Sequence, residues 1–471
     1  MNSNTIDYVK RFRRKFPANS ATTPSSGLPR APNISGLKGS PPLEGMKEWL
    51  LLLGHSAQDI DNLNVIHVAG TKGKGSTCAY VDSILREHAR RNGISRKIGL
   101  YTSPSLWPRN RIRINSNPLP EDEFFQRFRE VCTGLCIDPD RPSPEIKTPG
   151  LLQMMAIVSF HTFIKEEVDV VICETHHGGQ FDATNFVEHP VITAITKIGM
   201  DHVDNLGGSI QNIAWHKSGI FKAGVLALSV PQVPEAEDEM RSRETELGAS
   251  LHFIKDVKGA LLQFITDEKF ETIQPEQREN CALATQITHN FLKIRGQSLD
   301  EQDVQAGIEK FRWPGRFDIV ESGGSTWYLD GAHNEMSMEV VGKWYERVTH
   351  ANSSIRVLIF AHFSPERTRD WSKILRMLGK HLQTPVQHVI FVKQIEYDHF
   401  CTSEERLEEY SQLWERNWPS SVIHKADSVG DSIHQAKNIG LGAQILVTGS
   451  LYLVEAALEL VKSETRCQVC A

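Results

Sequence analysis

The sequence predicts two α/β domains, each a mostly parallel β-sheet with flanking helices, and three observations predict them. Short apolar runs rich in valine and isoleucine alternate with helical stretches, which is the pattern of right-handed βαβ units. The pattern pauses around Trp313-Pro-Gly-Arg316 and then starts again. The 471 residues exceed what a single hydrophobic core ordinarily organises. The expected division is an N-terminal arm over residues 1–40, a first domain over 41–311 and a smaller second domain over 312–471.

Taken in order, the arm comes first. Lys10, Arg11, Arg13, Arg14 and Lys15 make it basic, and a Ser/Thr/Pro/Asn-rich stretch follows to about Ile34. The scarcity of acidic residues leaves a targeting segment open. Asp7 and the lack of a long Arg/Ser-rich amphipathic pattern favour a solvated arm instead. Residues 64–70, 97–102, 169–174, 190–196 and 225–230 read as buried strands, with helices at 81–91, 121–135 and 151–165. In the second series, 326–330, 356–360, 387–392 and 444–448 read as strands, and 337–350 and 370–382 as helices.

Composition narrows the class. A formal net charge of -6 does not suit a nucleic-acid-binding chain, which is usually basic overall or on one face. No apolar stretch reaches the roughly 18 residues that span a bilayer. The eight cysteines are scattered, and the CxxC spacing of Cys467 and Cys470 has no second pair, so reduced thiols in an intracellular, cytoplasmic protein are expected, with the mitochondrion as the alternative. A monomer is expected.

The chemistry starts at Gly70-Thr71-Lys72-Gly73-Lys74-Gly75-Ser76-Thr77. It follows a strand and opens a helix, the context of a phosphate-binding loop. The glycines let backbone approach phosphate, the helix start favours an anion, and Lys74 supplies a mobile charge. The first domain therefore reads as P-loop-ATPase-like and the second as Rossmann-like. The spacing is one residue shorter than the standard P-loop, with Gly75 between Lys74 and Ser76. Glu174 closes the run Val-Asp-Val-Val-Ile-Cys-Glu, and a carboxylate at the C-terminal end of a parallel strand beside a phosphate loop is where Mg²⁺ is held.

The loop resembles the GTxGKGS loop of the Mur ligase superfamily, and within it the folylpolyglutamate synthase family with its dihydrofolate synthase relatives. Further blocks follow in that family's order: Tyr101-Thr-Ser-Pro104, Arg109-Asn-Arg-Ile-Arg-Ile-Asn115, and the acidic block from Glu174 to Asn185. Ile198-Gly-Met-Asp-His202, Ile213-Ala-Trp-His-Lys-Ser-Gly-Ile220 and Glu279-Asn-Cys-Ala-Leu-Ala284 come next. Trp313-Pro-Gly-Arg316, Asp330-Gly-Ala-His-Asn334 and Val447-Thr-Gly-Ser-Leu451 complete the series.

The resemblance implies ATP and Mg²⁺ as cofactors, with a monovalent cation as a further candidate. It implies that Ser103, Glu174 and His202 reach Mg²⁺ and that Lys217 is carbamylated and helps hold a second metal ion. It also implies nucleotide contacts from Asn280, Arg316, Asp330 and His333, with Arg316 on the γ-phosphate and Asp330 on the ribose. Lys74, His202, Lys217 and Arg316 are then the catalytic set, in a site formed by both domains. The implied reaction joins L-glutamate to the γ-carboxylate of folate or tetrahydrofolate through an acyl phosphate, releasing ADP and phosphate.

The sequence departs from the family at several places. His176 stands where the acidic block has its first glycine, and Ser105 where histidine is usual. Thr148-Pro-Gly-Leu replaces a Phe-Glu pair, and Phe363-Ser-Pro-Glu-Arg-Thr-Arg369 replaces an acidic block. These positions are where folate and glutamate contacts are expected. A same-fold amide ligase acting on another carboxylic acid, and a non-catalytic ATP-binding regulator, are the alternatives.

Overall fold

The valine- and isoleucine-rich runs are strands buried on both faces, as parallel strands covered by crossover helices must be. The computed structural model describes residues 43–103, 107–138, 148–349, 354–362, 370–394 and 402–469. The chain divides into two compact units, Met1–Phe311 and Arg312–Ala471.

The first unit carries eight strands: β1 (Ile66–Ala69), β2 (Ile98–Tyr101), β3 (Ile112–Ile114), β4 (Asn117–Pro118), β5 (Val170–Glu174), β6 (Ile192–Ile195), β7 (Leu226–Ser229) and β8 (Ser250–Phe253). They lie in the order β4-β3-β2-β5-β1-β6-β7-β8. All neighbours are parallel except β2–β3 and β3–β4. One layer of core joins Tyr101 and Cys173 to Phe124, Phe128, Met154 and Phe160 from helices Glu121–Gly134 and Leu151–Lys165. A second joins Ile195 and Ala227 to Ile213 and Met240 from helices Ile210–Ser218 and Pro234–Leu247. Helix Lys74–Arg91 packs on Arg278–Ile294 and Glu301–Lys310. Ser83 Oγ donates to the carbonyl of Gly307 at 2.8 Å, an approach that needs glycine because a Cβ there would lie 2.7 Å from Ile84 Cγ1.

The second unit has six strands: β9 (Asp318–Ser322), β10 (Ser325–Leu329), β11 (Arg356–Phe360), β12 (His388–Gln394), β13 (Val422–Ser428) and β14 (Gln444–Thr448), in the order β13-β12-β11-β14-β10-β9. Only the β9–β10 pair is antiparallel. Trp344, Leu358, Phe391, Tyr410 and Trp414 fill one face of it. Both units are α/β layers with mostly parallel sheets.

Two differences from the sequence reading matter. The first helix starts at Lys74 rather than Val81, because a left-handed Gly73 caps it and the Gly-Ser-Thr run that looks like loop is its first turn. Strands β3, β4, β8, β9 and β13 are absent from the reading; they are short or half-exposed edge strands, not apolar runs. Among the described residues no helix is long and apolar enough to cross a membrane, and Cys78, Cys132, Cys136, Cys173 and Cys281 are free thiols. The basic arm, Pro104, Ser105, the segment 363–369, Cys401 and Cys470 lie outside the described residues, as does the side chain of Cys467.

A buried relay offers a test of the packing. His55 Nε2 lies 2.8 Å from His161 Nδ1, and His161 Nε2 lies 2.9 Å from Glu130 Oε2. Two neutral rings, each donating from Nε2, satisfy every contact. Burial, and then the neighbouring His161, lowers the His55 pKa from 6.5 to about 4. The unfolded chain therefore binds the extra proton first, so stability is full above pH 6.5 and is lost as pH falls towards 4. Thermal unfolding across that window is expected to show a shallower acid loss in His55→Gln than in the parent protein.

Candidate active site

The site grows from the end of β1. Gly70 has φ of 143°, and a Cβ there would lie 1.9 Å from Thr196 Oγ1, so no other residue fits. The N–H groups of Thr71 and Lys72 both donate to the carbonyl of Lys197, at 2.9 and 3.1 Å. Thr71 Oγ1 donates to Gly199 O at 3.0 Å. Gly73 is left-handed at φ 84°, and a Cβ on it would lie 2.0 Å from Asn280 Oδ1. Lys74, Gly75 and Ser76 form the first turn of the helix, and Thr77 N–H closes it on Gly73 O at 2.8 Å. The first N–H groups of a helix have no partner within it, and the dipole adds to their attraction for an anion. Asn280 Nδ2 donates to Gln277 Oε1 at 2.9 Å, while its Oδ1 lies 3.5 Å from Thr77 Oγ1.

Two carboxylates, one at the end of β5 and one in the loop after β6, face the loop's two lysines. Glu174, buried at the end of β5, has Oε1 3.6 Å from Lys74 Nζ, and its Oε2 accepts from Ser103 N–H at 3.1 Å. Arg111 Nη1 donates to Ser103 Oγ at 3.1 Å. Lys72 Nζ lies 3.8 Å from Asp201 Oδ2, whose Oδ1 accepts from His202 N–H at 3.1 Å. His202 is left-handed at φ 52°, and its ring centroid is 4.3 Å from that of His177.

Lys217 is not the exposed helix-end lysine that its type would suggest: it is 2 % exposed, with Nζ donating to Gly70 O at 2.7 Å. Burial, then the charge of Lys74, pulls its pKa from 10.5 to about 7. Among the described residues, no three His, Cys, Asp or Glu side chains form a group able to hold a metal ion.

The first unit also has a cavity of about 570 Å³. Its lining is mixed: Leu43, Phe186, Phe221 and Leu247 are apolar, while Glu44, Lys47, Glu48, Glu188 and Lys222 are charged, with Gln180 and Asn185 among them. Asn185 Nδ2 donates to Gly219 O at 3.0 Å, while its buried Oδ1 has no hydrogen-bond partner.

In the second unit, the Arg316, Asp330 and His333 segments converge where β10 ends. Arg316 Nη1 donates to Gly315 O at 3.0 Å and packs on Gly331, where a Cβ would lie 2.4 Å from it. Asp330, 4 % exposed, accepts the N–H of Phe317 at 3.0 Å on Oδ2. Phe317 sits at φ 49°, so this bond holds a turn residue in a conformation it rarely adopts. His333 Nδ1 lies 2.9 Å from Gly331 O, which makes Nδ1 the protonated nitrogen of the neutral ring.

Sequence reasoning missed Lys72, Asp201 and Arg111 as members of the site. Asp201 had a legible signal, since it precedes His202 after a strand. Arg111 had none, because its role depends on β3 folding back beside β2.

Residues 316–460 match the family described as Dihydrofolate synthetase, C-terminal domain. The chain is 35% identical over 458 residues to the folylpolyglutamate synthase of Neurospora crassa, covering 88% of this chain and 85% of that one. It is 31% identical over 442 residues to the probable folylpolyglutamate synthase of Schizosaccharomyces pombe, covering 87% and 85%. The chain belongs to the folylpolyglutamate synthase family. Solved members share its fold: Mycobacterium tuberculosis folylpolyglutamate synthase complexed with ADP and AMPPCP superposes with a TM-score of 0.70 at 22% identity, covering 89% of this chain and 95% of that one. E. coli FolC in complex with ADP gives 0.66 at 23%, covering 88% and 94%.

The loop geometry sets an expectation of its own. Gly73→Ala should lower stability by about 1–2 kcal/mol, the cost of a left-handed residue with a Cβ, plus the overlap with Asn280. Chemical unfolding should show Asn280→Ala recovering the overlap component but not the backbone one.

Proposed function

We propose that this chain is an ATP-dependent ligase that adds L-glutamate to the γ-carboxylate of a folate, lengthening a γ-glutamyl tail and releasing ADP and phosphate. The observation that carries the reading is Lys74 at the start of the phosphate-loop helix, 3.6 Å from the strand-end carboxylate of Glu174. Family membership supports it: the Neurospora crassa relative is a folylpolyglutamate synthase.

A carboxylate cannot lose oxide, so amide formation needs activation. The γ-phosphoryl group of ATP moves to the substrate carboxylate and gives an acyl phosphate; the glutamate amine attacks the acyl carbon, and phosphate leaves. The N–H groups at the start of helix Lys74–Arg91 bind the phosphates, with Gly70, Thr71, Gly73, Gly75, Ser76 and Thr77 shaping the cradle. Lys74 follows the phosphoryl group as charge builds on its oxygens. Arg316 is assigned to the same charge, Asp330 to the ribose hydroxyls, and Asn280 and His333 to the rest of the nucleotide.

The donor set fits Mg²⁺. Glu174 supplies a carboxylate and Ser103 a hydroxyl, and Mg²⁺ is commonly held by one or two carboxylates with phosphate oxygens and water. His202 is assigned as a further ligand. When bound, Mg²⁺ offsets charge on the phosphoryl oxygens. Lys217 is assigned as a carbamate. Its pKa of about 7 makes the neutral amine available at physiological pH; that nitrogen adds to CO₂ and releases a proton, giving an N-carboxylate for a second metal ion. ATP, folate and L-glutamate are the expected partners of a single working chain, in the cytoplasm or the mitochondrion.

The deciding experiment incubates the protein with MgATP, labelled glutamate and tetrahydrofolate and follows the folate by mass. Gain of glutamyl units with ADP formation is expected. ADP formation with another acid and none with any folate would reassign the substrate, and AMP would exclude the acyl phosphate. Lys74→Ala is expected to lower turnover by about 10²–10³-fold without loss of thermal stability. Lys217→Ala should lose activity, and the parent protein should gain activity from bicarbonate after CO₂ is removed. An active, bicarbonate-insensitive Lys217→Ala would remove the carbamate from the mechanism.

A further inference from the structure

His176, in the acidic block, is left unused by the mechanism. It is 6 % exposed and sits two residues beyond Glu174. Tyr101 O–H lies 2.6 Å from His176 Nε2, with the rings edge-on at 5.4 Å. His176 Nδ1 lies 3.3 Å from Asp182 Oδ1. Tyr101 is fully buried, and a phenol is a hydroxyl donor at ordinary pH.

Tyr101 O–H meets His176 Nε2, and the Nδ1 side of the ring faces the Asp182 carboxylate at 3.3 Å without the alignment of a hydrogen bond. The same carboxylate accepts from Thr184 N–H at 3.0 Å, Thr184 Oγ1 at 2.8 Å and His177 N–H at 2.7 Å. On its far side Thr184 Oγ1 is 2.8 Å from His67 Nε2 on β1. A carboxylate with these donors stays ionised, and its charge beside Nδ1 favours the proton on that nitrogen, which leaves Nε2 as an acceptor for Tyr101.

The position of this relay is what matters. β2 and β5 pair in parallel up to Tyr101 opposite Cys173. Past that register the two chains part, one to Ser103 and the other to Glu174. Two links cross the gap: Ser103 N–H to Glu174 Oε2, and Tyr101 O–H to His176 Nε2. The first ties the backbone of Ser103 to the carboxylate of Glu174. The second joins β2 to a histidine two residues past Glu174, whose ring faces the Asp182 carboxylate of the acidic loop.

We propose that His176 is a positioning residue that, through its hydrogen bond to Tyr101, clamps the Ser103 and Glu174 segments at the spacing needed for a divalent cation. The inference rests on the reading of Glu174 and Ser103 as ligands. Groups behind a metal's ligands commonly change its affinity 10- to 100-fold when removed.

The test uses the full-length protein, with Mn²⁺ in the presence of ADP as probe and free Mn²⁺ measured by electron paramagnetic resonance. Tyr101→Phe and His176→Gly should each raise the half-saturating Mn²⁺ concentration about 10-fold or more, and the double variant no more than either alone. His176→Gln, whose amide reaches the Nε2 position, should stay close to the parent protein, whereas His176→Asn, which reaches only the Nδ1 position, should not. The ¹⁵N resonances of His176 should report the Nδ1–H tautomer in the parent protein and a shifted Nε2 in Tyr101→Phe. Unchanged Mn²⁺ affinity in variants that merely melt earlier overturns the proposal, as do effects of the two single variants that multiply. Glu174→Gln separates the two levels. If it weakens Mn²⁺ binding and the Tyr101 and His176 variants do not, the clamp alone is wrong. If it leaves Mn²⁺ binding unchanged, the ligand assignment fails and takes the clamp with it.

Discussion

The site of the first unit depends on one steric constraint, the absence of a Cβ at Gly70 and Gly73. Without it, Thr196 could not lie against the end of β1, nor Asn280 against the start of the helix. The carbonyl of Gly70 could not receive Lys217, and the N–H groups of Thr71 and Lys72 could not turn together onto Lys197. Everything charged in the site is arranged around a backbone that approaches its neighbours more closely than any side chain would permit. The conformational freedom that makes glycine costly elsewhere is used here to bring four strand ends together.

Charge balance follows from that closeness. Lys74 faces Glu174 and Lys72 faces Asp201, so the loop's two cations are partly neutralised before any anion arrives. Lys217, in the same neighbourhood, donates to the carbonyl of Gly70, and its charged form is disfavoured there. Burial and the nearby ammonium of Lys74 act in the same direction. A site for polyanions thus contains an amine poised to become neutral, which is the form that reacts with carbon dioxide.

How much of this was legible in the sequence depended on burial. Central strands such as β5 and β11 announce themselves because both faces are covered and all but one terminal residue of each is apolar. The edge strands β8 and β13 do not, because they alternate exposed polar residues with few buried ones. The same rule governs the site. Lys74, Glu174 and Asp330 stand at ends of recognisable strands or loops, so their positions could be read. Arg111 could not be read, since it meets Ser103 only through the antiparallel return of β3. Nor could the burial of Lys217, which needs the helix Ile210–Ser218 to lie against the glycine loop. His176 was visible as an odd residue in a glycine-rich block, but its partners Tyr101 and Asp182 come together only in three dimensions.

The two kinds of amide in the phosphate loop carry a consequence for isotope exchange. Thr71 and Lys72 already donate to the carbonyl of Lys197, and Thr77 to that of Gly73. Their hydrogens are protected by the fold itself and report its local opening. The amides of Lys74, Gly75 and Ser76 lie in the first turn, where the helix offers no acceptor. Their deuterium uptake is governed by whatever anion sits before them. Occupancy of the loop is therefore written into three consecutive backbone positions, flanked on both sides by amides that serve as an internal reference for the stability of the fold.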